Sequence, residues 1–169
     1  MTPDVRARVR AAVRANGDDL LRYFERRVGS RDDAADLLGE TMLQVWRRAE
    51  SMPGESERQR MWLYTVAAHV LANQRRSSRR RAALTERLRH GLAEEPSPPD
   101  HTASIAVRDA VLGLRQTQRE LVMLIHWDGF SIVEAAELLG LNPSTARGRY
   151  SAARDALRAA LSEPADVRV

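Results

Sequence analysis

The sequence predicts an all-α protein: two small helical domains joined by a flexible linker, the second carrying a helix-turn-helix. Three observations carry that prediction. Apolar residues recur at three- and four-residue spacing in both halves, and no period-two alternation outweighs them. Residues 86–104 gather Gly91, Pro96, Pro98 and Pro99 among charges and serines, which is linker composition. Ser131 to Leu157, SIVEAAELLGLNPSTARGRYSAARDAL, announces two helices and a sharp turn. The expected boundaries are 1–85 for the first domain, 86–104 for the linker and 105–162 for the second domain.

Taken in order, Thr2-Pro3-Asp4 supplies an N-cap, a proline at the first helical position and an acid in the first turn. Val5, Val9, Ala12 and Val13 follow at helical spacing, and Asn16-Gly17-Asp18 interrupts them before Leu20, Leu21, Phe24 and Val28. One bent helix or two fit equally well. From Asp32 to Ala49 a strongly amphipathic helix sets Ala34, Leu37, Leu38, Thr41, Met42, Val45 and Trp46 against Asp33, Asp36, Glu40 and Gln44. An acidic face of this kind either solvates a helix or docks a basic partner, and periodicity alone favours the first.

Ser51 to Ser56 reads as a loop by its proline, glycine and serines, and it leads into Arg58, Gln59 and Arg60. In MWLYTVAAHVLANQRRSSRRRAAL, Trp62, Leu63, Val66, Ala67, Val70 and Leu71 form a helical core face. Tyr64, His69, Asn73, Arg75, Arg76, Arg79, Arg80 and Arg81 supply aromatic and basic groups. Aromatics beside arginines suit unpaired nucleic acid, because bases stack on rings and phosphates pair with guanidinium groups. The plainer alternative places both aromatics in the core and leaves the arginines to solvent; Trp62 alone reads as core, the arginine cluster as a nucleic-acid contact.

The second domain begins with Ile105, Val107, Val111, Leu112 and Leu114, and Leu121, Val122, Leu124 and Ile125 continue its core towards Trp127. Asp128-Gly129 is a turn signal. Ser131 and Glu134 form a capping box ahead of apolar Ile132, Ala135, Ala136, Leu138 and Leu139. Gly140 can adopt the left-handed conformation that ends a helix, Leu141 can fold back, Asn142 is a good N-cap and Pro143 fits the first helical position. Ser144, Thr145, Arg147, Arg149 and Arg154 then lie where a recognition helix meets DNA. Ala136, Gly140 and Ala146 have the spacing for a close helix crossing. The plain alternative is a helical hairpin with a solvated arginine face.

Composition narrows the function. Of 169 residues, 27 are Lys or Arg and 23 are Asp or Glu, a net charge of +4, and every one of the basic residues is arginine. That bias fits a GC-rich genome as well as it fits phosphate recognition. Its distribution says more: bases cluster at Arg75–Arg81 and Arg147–Arg158, acids at Asp32–Glu40 and Glu94–Glu95. The absence of cysteine removes disulfides, thiolate metal sites and thiol nucleophiles. His69, His90, His101 and His126 are scattered, and no phosphate loop or nucleophile elbow is present, so neither an enzyme, a metal nor a cofactor is expected. No run approaches the roughly 18 apolar residues of a membrane span, and the N-terminus lacks the apolar core of a signal peptide. A cytoplasmic protein without membrane insertion is expected.

An acidic amphipathic helix, an aromatic and basic helix, a linker and a helix-turn-helix, in this order, resemble a bacterial sigma factor of the extracytoplasmic-function group. DAADLLGETMLQVW looks like that family's polymerase-binding helix, MWLYTVAAHVLANQRRSSRRR like its promoter-melting and −10-reading helix, and LRQTQRELVMLIHWDGFSIVEAAELLGLNPSTARGRYSAARDAL like its −35-reading domain. The resemblance implies core RNA polymerase and promoter DNA as partners, with an anti-sigma factor as a further one. It assigns Asp33, Asp36, Glu40 and Gln44 to the polymerase. Arg58, Arg60, Trp62, Tyr64, His69, Asn73, Arg75, Arg76 and Arg79 go to the −10 region, and Ser144, Thr145, Arg147, Arg149, Ser151 and Arg154 to the −35 element. This chain departs from the family pattern with Gly39 for a usual glutamine, His69 for a common asparagine and Asn73 for a common aspartate. Two other readings compete: a dimeric helix-turn-helix regulator of duplex DNA, and a helical adaptor that binds protein alone.

Overall fold

In the computed structural model, residues 2–88 and 102–162 are described, with side chains at 2–81 and 106–162. The described residues form seven α-helices and one 3-10 turn, with no strand. They divide into two compact units, Met1–Pro96 and Ser97–Val169. The prolines and glycine that mark the expected linker lie outside the described residues, as do His90 and His101.

The first unit packs three helices against one another, α1 (Pro3–Glu25), α2 (Arg31–Arg47) and α3 (Ser56–Leu88), with a 3-10 turn at Ala49–Ser51. α1 begins as its sequence dictates: Thr2 Oγ1 accepts from Val5 N, and Pro3 opens the first turn. It then runs unbroken through Asn16 and Gly17. Glycine in a helix interior costs about 1 kcal/mol relative to alanine. Leu20, Tyr23 and Phe24, buried just beyond it, are each worth about 1.5–3 kcal/mol, so packing wins over the local break. Asn16 bonds Ala12 O at 2.8 Å and so satisfies its amide within the helix.

α2 is capped by Ser30, whose hydroxyl accepts from Asp33 N. It buries Ala34, Leu37, Thr41 and Val45, and Thr41 meets the cost of burial by donating to Leu37 O at 2.7 Å. α3 contributes Leu63, Val66, Ala67, Val70 and Leu71 to the same core. It also contributes Tyr64, 1% exposed, whose ring meets Tyr23 edge-on at 5.3 Å.

The second unit comprises α4 (Thr102–Leu112), α5 (Gln116–His126), α6 (Ile132–Leu138) and α7 (Pro143–Ser162). α3 ends and α4 begins three residues inside the stretch expected as linker. Val111, Leu114, Val122, Met123 and Ala153 form a core on which Tyr150 and Leu157 pack. Val107 and Leu112, expected in that core, are exposed on α4.

The turn between α6 and α7 follows local chemistry throughout. Ser131 and Glu134 complete a reciprocal capping box. Gly140 takes φ +62°, with Gly140 N donating to Glu137 O and Leu141 N to Ala136 O, a Schellman motif. Asn142 Oδ1 caps α7 by accepting from Ser144 N at 2.9 Å. α6 packs on α7, and Ala135, Ala136 and Ala146 are fully buried in that packing unit. Gly140 takes no part in it: a Cβ there would meet nothing within 4 Å, so this glycine is needed for its backbone conformation and not for close approach.

Candidate nucleic-acid interfaces

Three exposed faces collect most of the residues singled out above. On α2, Asp33, Asp36 and Glu40 are exposed, and Gln44, half-buried, donates to Glu40 Oε1 at 2.7 Å. Leu43 stands among them, 53% exposed, an apolar residue that the helical pattern alone would not have marked. Asp33, Asp36, Leu37 and Glu40 form one wall of a groove of about 410 Å³ whose other wall is Val70, Asn73, Gln74 and Ser77 of α3. The acids therefore share a groove with Asn73, a residue assigned by resemblance to DNA.

Along α3, Arg58, Trp62, Thr65, His69, Asn73, Arg76 and Arg80 succeed one another at intervals of three and four, which places them on one face. All are exposed except Trp62, which is half-buried and so only partly the core residue its spacing suggested. At about 1.5 Å per residue, the stripe from Arg58 to Arg80 runs about 33 Å. Arg79 flanks it, and Arg76 donates to Asn73 Oδ1, tying a cation to an amide on the same face. Arg80, read from sequence as part of the arginine cluster, lies on the same stripe; Thr65 extends it beyond the residues named from sequence and was recoverable from its spacing to Trp62 and His69.

Arg60, Tyr64 and Arg75 are not on this face. Tyr64 is buried against Tyr23, and half-buried Arg60 lies over its ring at 5.1 Å. Arg75 is also half-buried. A ring closed off by α1 cannot stack on a base, so the expectation for Tyr64 is corrected to a core role. The physical reason is that α3 is covered on two flanks, by α1 and by α2, and buries a wider arc than a helix lying on a single neighbour.

On α7, Thr145, Arg147, Arg149, Ser151 and Arg154 are exposed, and these three arginines form no ion pair among the described residues. Ser144 is exposed as well, but its hydroxyl is occupied by Asn142 Oδ1 at 2.8 Å, so its first task is the cap. Arg147 and Arg154 are seven residues apart and share one edge of the helix. Arg149, two residues from Arg147, lies about 160° round from it, on the opposite edge. α7 is fixed to α5 by a contact that the sequence did not suggest: His126 Nε2 meets Tyr150 Oη at 2.8 Å, with the rings stacked at 6.0 Å. Exposed guanidinium groups on both edges of a helix suit phosphates on both sides of a groove. Among the described residues no group of three His, Asp or Glu could hold a metal ion, and no helix is long and apolar enough to cross a membrane.

Comparison with known proteins agrees with this layout. The model of sigma-70 region 2 matches residues 12–81 and that of sigma-70 region 4 matches residues 104–157. The extracytoplasmic-function RNA polymerase sigma factor SigL of Mycobacterium tuberculosis is 29% identical over 160 residues, 93% of this chain and 90% of SigL. The sigma factor BldN of Streptomyces coelicolor is 32% identical over 147 residues, 83% of this chain and 56% of BldN. The fold is that of the sigma factor RpoE from Bartonella quintana, solved with the anti-sigma factor NepR: TM-score 0.71, 24% identity, covering 96% of this chain and 99% of that one. CnrH, solved with the cytosolic domain of CnrY, gives a TM-score of 0.65 at 21% identity over 92% of this chain and 88% of that one. With region 2 matched in one unit and region 4 in the other, the chain belongs to the sigma-70 family, as a sigma factor of the extracytoplasmic-function group.

Proposed function

We propose that this protein is an alternative sigma factor that binds core RNA polymerase and directs promoter-specific initiation by reading the −35 and −10 elements and opening the DNA. The observation that carries this reading is the pairing, in one chain, of a recognition helix on α7 with a second exposed basic face on α3. A dimeric regulator of duplex DNA would use the first and leave the second idle.

The acids of α2 would meet basic helices of the polymerase, where charge complementarity sets register and speeds association. α7 would hold the −35 duplex. The loop before α3 and the stripe from Arg58 to Arg80 would take the unpaired strand near −10. Opening costs a few kcal/mol for each unstacked base, and a pocket for the base together with a cationic track offsets that cost. The chain itself would make and break no covalent bond; RNA synthesis would belong to the polymerase. The complexes of RpoE with NepR and of CnrH with CnrY support an anti-sigma factor as a further partner, and an interior site of action follows from these partners.

Adding the protein to core RNA polymerase and sequencing the transcripts tests the whole reading. New start sites sharing −35 and −10 elements are expected; an unchanged transcript set overturns it. The −35 face carries a sharper expectation. Arg149→Ala should weaken binding to all duplexes alike and lower the salt slope by about 0.9, because a residue on the far edge from Arg147 meets phosphate. Loss confined to one base pair, of about 1–3 kcal/mol, would instead make Arg149 a reader of that base.

A further inference from the structure

The loop between the 3-10 turn and α3 is shaped from within by a side chain that no DNA-facing motif includes. Gln59, in the first turn of α3, is 9% exposed. Its Nε2 donates to both Pro53 O at 3.1 Å and Gly54 O at 2.9 Å. From α1, Arg8 Nη2 donates to Met52 O at 3.4 Å, and the Met52 side chain is itself buried. Three consecutive carbonyls are thus turned inward, while Gly54, Glu55 and Ser56 are exposed.

Peptide planarity carries this inward anchoring to the outer surface. Among the described residues no peptide bond is cis. In a trans peptide the N–H points away from the carbonyl of the same unit. With the Pro53 and Gly54 carbonyls fixed on Gln59, the N–H groups of Gly54 and Glu55 face the other way. Sterics do not hold this shape, since a Cβ at Gly54 would meet nothing within 4 Å. Hydrogen bonds to one buried amide are what restrain a glycine otherwise free to explore many conformations.

We infer that Gln59 is a positioning residue for base selection near −10, setting from behind the shape that the loop presents to an unpaired base. This rests on the reading that the loop takes such a base. Gln59→Leu nearly preserves volume, suits a buried site and removes both donated bonds. Holoenzyme carrying it is to be tested against single-stranded −10 oligonucleotides with each of the four bases at every position. Discrimination between the preferred base and the others should fall by about tenfold at the positions facing the loop. Association with core polymerase and binding of −35 duplex should be unchanged. Retained discrimination overturns the inference, as does an equal loss for every base accompanied by a lower melting temperature, which would mark Gln59 as structural only. Wild-type holoenzyme without any base preference would refute the loop's role and this inference with it, whereas normal discrimination in wild type and variant alike refutes the inference alone. If Gln59→Leu fails to fold, Gln59→Asn, whose shorter amide cannot span both carbonyls, takes its place: the same tenfold loss of discrimination is expected, and full discrimination overturns the inference.

Discussion

Asp36→Arg combined with Glu40→Arg is expected to abolish co-elution with core RNA polymerase and, with it, all promoter-specific transcription. Both side chains are exposed on α2 and line the groove it forms with α3, so neither supports the core and the double variant should fold. Placing two guanidinium groups against a basic partner replaces attraction with repulsion, and like-charge juxtaposition across an interface costs several kcal/mol. Association should fall on the order of 100-fold or more. Unchanged co-elution on gel filtration at moderate salt, with helical content intact, would remove α2 from the polymerase interface.

Tyr64→Ala should act through stability and not through DNA. The ring is 1% exposed and packs against Tyr23, which in turn meets Phe24 at 5.2 Å. Truncating a buried aromatic to alanine costs about 3–5 kcal/mol. For a unit of this size that corresponds to a fall of roughly 12 °C or more in Tm. Tyr64→Phe keeps the ring and should melt far closer to wild type. The alternative is measurable by permanganate footprinting of promoter thymines: a Tyr64→Ala protein with wild-type melting but defective strand opening would show that the ring leaves the core to meet DNA.

Tyr64 also shows where sequence reading stops. Spacing along α3 placed Leu63, Val66, Ala67, Val70 and Leu71 in the core correctly, since any one packed face selects them. Whether the apolar arc widens towards Trp62 or Tyr64 depends on which neighbour covers the helix. The answer comes from Tyr23, on another helix and distant in sequence. The turn between α6 and α7 was legible to the residue because Ser131, Glu134, Gly140 and Asn142 act within a few positions of themselves. The continuity of α1 was not, because the burial that outweighs Gly17 is tertiary. Of the candidate sites, the acids of α2 and the arginines of α7 were readable as exposed faces of amphipathic helices. Gln59 was not, although its partners are five and six residues away, because its significance depends on the path of the loop that it holds.

The unbroken course of α3 has a consequence for how such a protein can change in length. A continuous helix converts chain position into phase as well as distance, like a screw thread: each added residue advances the chain about 1.5 Å and turns everything beyond it by about 100°. One residue inserted between Trp62 and His69 would swing His69, Asn73, Arg76 and Arg80 out of line with Arg58 while every local preference for helix remained satisfied. Seven inserted residues would bring them back to within about 20° of their phase, displaced by about 10 Å. Indels in this helix are therefore quantised: near-whole turns preserve a single face, and any other length splits it into two that look in different directions.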